Sequence, residues 1–171
     1  MKSFIITIAS ALAAVFSAAA QKSPVTITKN SVGTFKLGLH YNKVKPAVIK
    51  YFASCNQNYD DMEEKMSVYC YDAEGNVLIN FYTGSFPQDK KITGFQIYAQ
   101  GVNFKTPEGC SMESTASELL EAGGELDKTD MGIHILLNGL YFWFEDSAMN
   151  GRRINPEAKP FTIGTAPGIV F

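Results

Sequence analysis

Apolar and polar positions alternate most regularly over 66–84, MSVYCYDAEGNVLINFYTG. Met66, Val68 and Cys70 point one way and Ser67, Tyr69 and Tyr71 the other, the period of a half-buried strand. Ala73-Glu74-Gly75-Asn76 separates this run from its return, VLINFYT, so the stretch predicts a hairpin. SPVTIT (23–28) and ITGFQIYAQ (92–100) read as further strands. MGIHILLNGLYFWFED (131–146) predicts two strands around Asn138-Gly139, the pair that a two-residue type I′ turn favours. It is the most apolar stretch after the N-terminus and is expected to be central. Ile163 fits a short edge strand, because Pro160 and Pro167 exclude a long central one.

Elsewhere the period changes. In VGTFKLGLHYNKVKPAVIKYF (32–52), Val44, Val48, Ile49 and Phe52 share one helical face. Pro46 is tolerated only in a first turn, so a helix is predicted to begin near Val44 or Lys45. TPEGCSMESTASELLEAGG (106–124) carries a turn at Pro107-Glu108-Gly109 and a capping box of Thr115 with Glu118. A short apolar face of Ala116, Leu119 and Leu120 follows, and Gly123-Gly124 ends the helix. The polar stretch SCNQNYDDMEE (54–64) predicts a loop. The order of Gly-containing turn, helix and hairpin thus occurs twice. The predicted fold is α+β: an antiparallel sheet with two helices packed on one face, arranged as two α-then-β units.

The N-terminus sets the compartment. In MKSFIITIASALAAVFSAAA, Lys2 precedes an apolar run from Phe4 to Phe16, and Ala18-Ala19-Ala20 offers a small-residue cleavage site before Gln21. This is the pattern of a secretory signal peptide, too short to read as a membrane span, so the protein is expected to be secreted or periplasmic. Residues 21–171 then form one domain. Removing Lys2 takes the 15 basic residues to 14 against 17 acidic ones, a net charge of −3 in place of −2. A weakly acidic chain with scattered charges carries no nucleic-acid footprint.

Catalytic and metal-binding patterns are sparse. Cys110, Ser111 and Ser114 have no base nearby in sequence. His134 lies within the apolar strand IHILL and His40 in a turn, and no HExxH or H-x-H spacing occurs. Asp60, Asp61, Glu63 and Glu64 form the densest acidic run, without the spacing and glycine of a calcium loop. Arg152-Arg153 with Lys159 makes a small exposed basic patch. No cofactor or metal is expected. Export permits disulfides among Cys55, Cys70 and Cys110, but an odd count leaves at least one thiol outside any internal bridge.

Aromatic residues are the remaining signal. Tyr69, Tyr71, Tyr82 and Tyr98 sit on predicted strands; Phe142 and Phe144 share one face of theirs and Trp143 takes the other. If helices cover one face, the other is expected to be open and lined by Tyr and Trp, residues with an apolar body and a polar tip. The sequence therefore predicts an exported non-catalytic binding protein. It would recognise a protein, peptide or glycan through Tyr69, Tyr71, Tyr82 and Trp143. The alternative is a secreted hydrolase using His40 and the Asp60/Asp61 loop. A third reading, an outer-membrane barrel ending at Phe171, is opposed by the prolines and the two helices.

ITGFQIYAQGVNFKTPEGCSMESTASELLEAGG followed by LYFWFED, with FKLGLHYNKVKPAVIKYF before it, resembles small exported bacterial domains. These have the two-unit α/β architecture of the beta-lactamase-inhibitor protein type. The resemblance spans residues 32–146. It departs at Glu113-Ser114-Thr115, where the pattern usually has Gly-Ser-Thr. It implies that fold and an exported binding role, and it carries over no site residues.

Overall fold

A computed structural model describes residues 23–49, 51–98, 102–130 and 132–166. The expected signal sequence, the cut before Gln21 and Pro167 lie outside the described residues.

The strands are β1 (Val25–Thr28), β2 (Ser31–Val32), β3 (Phe35–Lys36), β4 (Ser54–Asp60), β5 (Lys65–Tyr71), β6 (Val77–Thr83) and β7 (Ile92–Ile97). They continue with β8 (Phe104–Lys105), β9 (Glu125–Thr129), β10 (Gly132–Leu137), β11 (Leu140–Phe144), β12 (Met149–Asn150), β13 (Arg153–Ile154) and β14 (Thr162–Gly164). The α-helix α1 (Ala116–Glu121) interrupts them. The main sheet has the order β4-β5-β6-β7-β14-β11-β10-β9, with every pair antiparallel. A smaller sheet, β3-β2-β1-β8, contains the parallel pair β1–β8.

Alternation sorts the main sheet into two faces. Val68, Cys70, Ile79, Phe81, Phe95, Ile97, Ile135, Phe142 and Ile163 line the inner face and are buried. Against it pack Ile27, Val32, Phe35 and Phe104 of the small sheet, Ala116 and Leu119 of α1, and Val44, Ile49 and Phe52 of the connection to β4. The Phe81 ring lies 5.0 Å from that of Phe35 and 6.4 Å from that of Phe52, so it ties the three layers together.

Both hairpins form as the pattern predicts. Asn138 and Gly139 adopt φ of 52° and 80°, the double positive φ of a type I′ turn. The turn after β5 is held by Asp72, whose carboxylate accepts from the Glu74 and Asn76 amides and from Asn76 Nδ2. The capping box of α1 is complete. The Glu118 amide donates to Thr115 Oγ1 at 3.2 Å, and the Thr115 amide donates to Glu118 Oε2 at 2.8 Å.

The predicted α+β architecture is corrected to a mainly β fold. Among the described residues there is one short helix, not two packed on a face, and no pair of α-then-β units. In place of the first helix, Tyr41–Lys43 and Pro46–Val48 each form a 3₁₀ turn. Lys45, held extended by the proline after it, has φ −143° and ψ 158° and breaks any helix there. Too few residues remain on either side to offset helix nucleation. Val44, Ile49 and Phe52 still bury themselves, so the apolar spacing reported core contact and not helical period.

Residues 54–60, expected as a loop, are edge strand β4, and 125–129 form the opposite edge, β9. Ile163 lies in a strand of three residues, short as expected. That strand is central, however, bridging β7 and β11. The sheet is an open one with β4 and β9 as its ends. Among the described residues no helix is long and apolar enough to cross a membrane.

Candidate functional site

The outer face of the main sheet carries the aromatic residues singled out in the sequence. It is not the open surface expected of it. Trp143 is 1% exposed and Tyr82 7%, while Tyr69 and Tyr71 are half-buried. Tyr82 donates or accepts a 3.1 Å hydrogen bond with Thr165 Oγ1, and its ring lies across Gly94 on the next strand. Tyr98 sits near both Tyr69 and Tyr82. Burial, and then these two neighbours, hold its phenol above the ordinary range. Tyr98 Oη donates to Gln96 Oε1 at 3.0 Å. Between these rings lies Asn80, fully buried, whose Nδ2 donates to Ser67 Oγ at 3.3 Å and whose Oδ1 has no partner among the described residues.

Trp143 belongs to a separate group three strands away from Tyr82, roughly 14 Å at the usual strand spacing. His134 packs between Trp143 (4.6 Å) and Tyr141 (5.0 Å). The structure therefore gathers Tyr69 and Tyr82 around Tyr98 and leaves Trp143 apart from them.

His134 shows what burial does to a titrating group on this face. Its Nε2 lies 3.6 Å from Asp127 Oδ2 on β9, and its Nδ1 has no partner among the described residues. Burial pushes the imidazole below its ordinary pKa, and Asp127 opposes this more weakly. The folded state thus binds the proton less well than the unfolded chain. Stability is full above about pH 6.5 and declines as pH falls from there toward the depressed folded value. His134→Phe is expected to flatten the fall of the urea midpoint between about pH 7 and 5. Equal slopes in the two proteins would refute this.

Beside Trp143 a cleft of about 710 Å³ opens at the end of β9 and β11. Lys128, Thr129, Asp130, Glu145 and Asp146 form its polar rim. Gly132, with φ 127°, lies against the indole: an added Cβ would sit 3.3 Å from Trp143 Cζ3. The indole is thus boxed in and not free for stacking, and Phe161 is the half-buried ring of the cleft's lining.

Exposed aromatic surface occurs elsewhere, where β4 ends. Tyr59, near the end of β4, is 46% exposed, and its ring lies 5.4 Å from Phe86. Phe86 meets Tyr41 edge-on at 5.9 Å, and Tyr41 stacks on His40 at 4.7 Å. The turn after β4 carries Met62, 92% exposed, and Leu39 next to His40 is also exposed. Backbone bonds hold these pieces together. The Phe86 amide donates to Glu64 O, the Tyr41 amide to Lys90 O and the Ile92 amide to Leu39 O. Alongside runs β4, with Ser54, Asn56, Gln57 and Asn58 exposed and one side of its backbone facing no other strand among the described residues.

Sequence reasoning missed this surface because its rings come from three separate segments, none periodic. The only local hint was Tyr59, a lone ring in a polar run.

The hydrolase alternative loses its central contact. His40 Nδ1 accepts from the Asn42 amide at 3.3 Å, capping a 3₁₀ turn. Asp60 Oδ1 accepts from the Met62 and Glu63 amides at 2.9 and 3.1 Å, capping the β4–β5 turn. Among the described residues no hydrogen bond or ion pair joins His40 to Asp60 or Asp61, and no three His, Cys, Asp or Glu converge to hold a metal.

The chain matches no protein-family model, no curated protein and no solved structure.

Proposed function

We propose that this is an exported, non-catalytic binding protein that takes an extended peptide segment of a partner protein along the free edge of β4. The observation that carries this reading is the chain of rings Tyr41, Phe86 and Tyr59, lying in partial contact with water at the end of that edge. An edge strand offers unpaired N–H and C=O groups, and natural proteins usually guard it with Lys, Pro or a bulge. Over seven residues, SCNQNYD has no Pro, no Lys and one acid at its end. Strand addition to such an edge gains affinity from main-chain hydrogen bonds and specificity from side-chain pockets. Here an incoming apolar side chain would meet Tyr59, Phe86 and Met62. Export rests on the N-terminal signal pattern.

Panning a random peptide library against residues 21–171 supplies the probe. The selected peptide is expected to shift the amide resonances of β4 and Phe86. Tyr59→Ala should weaken it about tenfold or more, as loss of an aromatic anchor does, while Lys128→Ala in the Trp143 cleft should leave its affinity unchanged. Peptides that map to the Trp143 cleft, or the absence of any selected peptide, would sink the reading.

A further inference from the structure

Cys55 and Cys70 are directly opposed across β4 and β5, residue against residue in the antiparallel register. Directly opposed residues of such a pair have Cα atoms about 4.5 or 5.5 Å apart, inside the 4.4–6.8 Å that a disulfide spans. Their side chains turn toward each other, with Sγ atoms 2.6 Å apart. Cys110, in the loop before α1, is buried and takes no part in this pairing. Three thiols in the sequence left the pairing open; the register settles which two can meet.

We propose that Cys55 and Cys70 close a disulfide that staples edge strand β4 to β5, with Cys110 remaining the free thiol. The oxidant is a disulfide, either a small thiol's or a thiol–disulfide oxidoreductase's. The two sulfurs are unequal in a way that orders the reaction. Cys55 is half-buried and reachable, Cys70 fully buried. The Cys55 thiolate attacks one sulfur of the oxidant, breaking its S–S bond. The first leaving thiolate takes up a proton, and a mixed disulfide stays on Cys55. Cys70 gives up its proton to solvent and attacks Cys55 Sγ, expelling the second thiolate, which is protonated in turn. Two electrons pass from the pair to the oxidant, and one disulfide is exchanged for another.

The consequence bears on the edge described above. Among the described residues β4 is held to the sheet on one side only, and nearly all its other side chains face solvent. A covalent tie at its second residue fixes the strand while leaving its outer backbone free.

The test uses residues 21–171 equilibrated in a glutathione redox buffer near −200 mV, roughly the poise of an oxidising compartment, then denatured with a maleimide present. The expected product carries one adduct, at Cys110, is lighter by two hydrogens in the remainder, and yields a linked peptide joining Cys55 to Cys70. Cys110→Ser keeps the bridge and carries no adduct. Reduction should lower the wild-type Tm by roughly 5–10 °C and leave that of the Cys55→Ala/Cys70→Val double variant unchanged. Three adducts, or any bridge that includes Cys110, would overturn the pairing. Equal wild-type Tm with and without reductant would overturn the staple. None of these outcomes depends on whether β4 binds a peptide.

Discussion

Phe81→Ala is expected to be the most damaging single truncation in the core, costing about 3–5 kcal/mol. Phe81 is fully buried in the second of the two strands that form the best-patterned hairpin. Its ring meets Phe35 of the small sheet, Phe52 of the connection to β4 and Phe95 of the neighbouring strand, at 5.0, 6.4 and 6.4 Å. These neighbours come from separate elements, each anchored by its own backbone bonds, so a cavity left here collapses poorly and the cost falls at the high end. A domain of this size holds only about 5–15 kcal/mol in total, and each kcal/mol is worth about 2–4 °C. Thermal unfolding should therefore drop by roughly 6–20 °C. Tyr59→Ala, at the exposed end of β4, should cost less than about 1 kcal/mol. Similar losses in the two variants would mean that the layers are not joined at Phe81.

Gly94→Ala should come second, and for the opposite reason. Gly94 is directly opposed to Tyr82, and the tyrosine ring occupies the space a side chain would need. An added Cβ would fall inside the contact radius of Tyr82 Oη and Cζ, and 2.5 Å from Thr165 Oγ1. Real Cβ atoms do not sit so close, so both neighbours must move. The same Thr165 Oγ1 accepts from the Phe95 amide at 3.0 Å and bonds Tyr82, so the displacement disturbs the link between β7 and the segment after β14. Overpacking of about 1–3 kcal/mol plus a lost hydrogen bond of about 1 kcal/mol gives about 2–4 kcal/mol. The cause can be isolated. In a Tyr82→Ala background the same glycine substitution should cost far less, giving a large coupling in the double-mutant cycle. An additive cycle by urea unfolding would show that the ring is not what excludes the side chain.

These two positions mark how far the sequence could be read. Phe81 sits on a clean apolar alternation, and alternation follows directly from burying one face of a sheet. The hairpins around Gly75 and Asn138-Gly139 were legible for that reason, with turn chemistry to close them. The helix at Ala116 was legible because its capping box is local. What failed was whatever depended on distant partners. Val44, Ile49 and Phe52 mimic a helical stripe while serving as separate plugs in a shared core. The edges β4 and β9 are polar because water lies on most of their surface, which erases the alternation that marks a strand. β14 is three residues long yet central, a place fixed by β7 and β11 and not by its own composition.

The candidate site divides in the same way. Alternation correctly placed Tyr69 and Tyr82 on the face away from the core, and Trp143 likewise on its own strand. It could not show that Trp143 and Tyr82 would be buried there. The surface that replaces them assembles Tyr41, Tyr59 and Phe86 from a 3₁₀ turn, a strand end and a loop. No window along the chain contains all three.

Strand addition at β4 makes one demand that is read amide by amide. Hydrogen exchange of the 54–60 backbone, measured with and without saturating selected peptide, answers it. In the free protein the outward-facing amides of β4 should exchange quickly. With peptide, alternate amides along the strand should slow by at least about tenfold, as newly paired ladder groups do. Unchanged exchange along β4, with protection appearing instead at 128–130 and 143–146, would contradict the account and move the binding site to the Trp143 cleft.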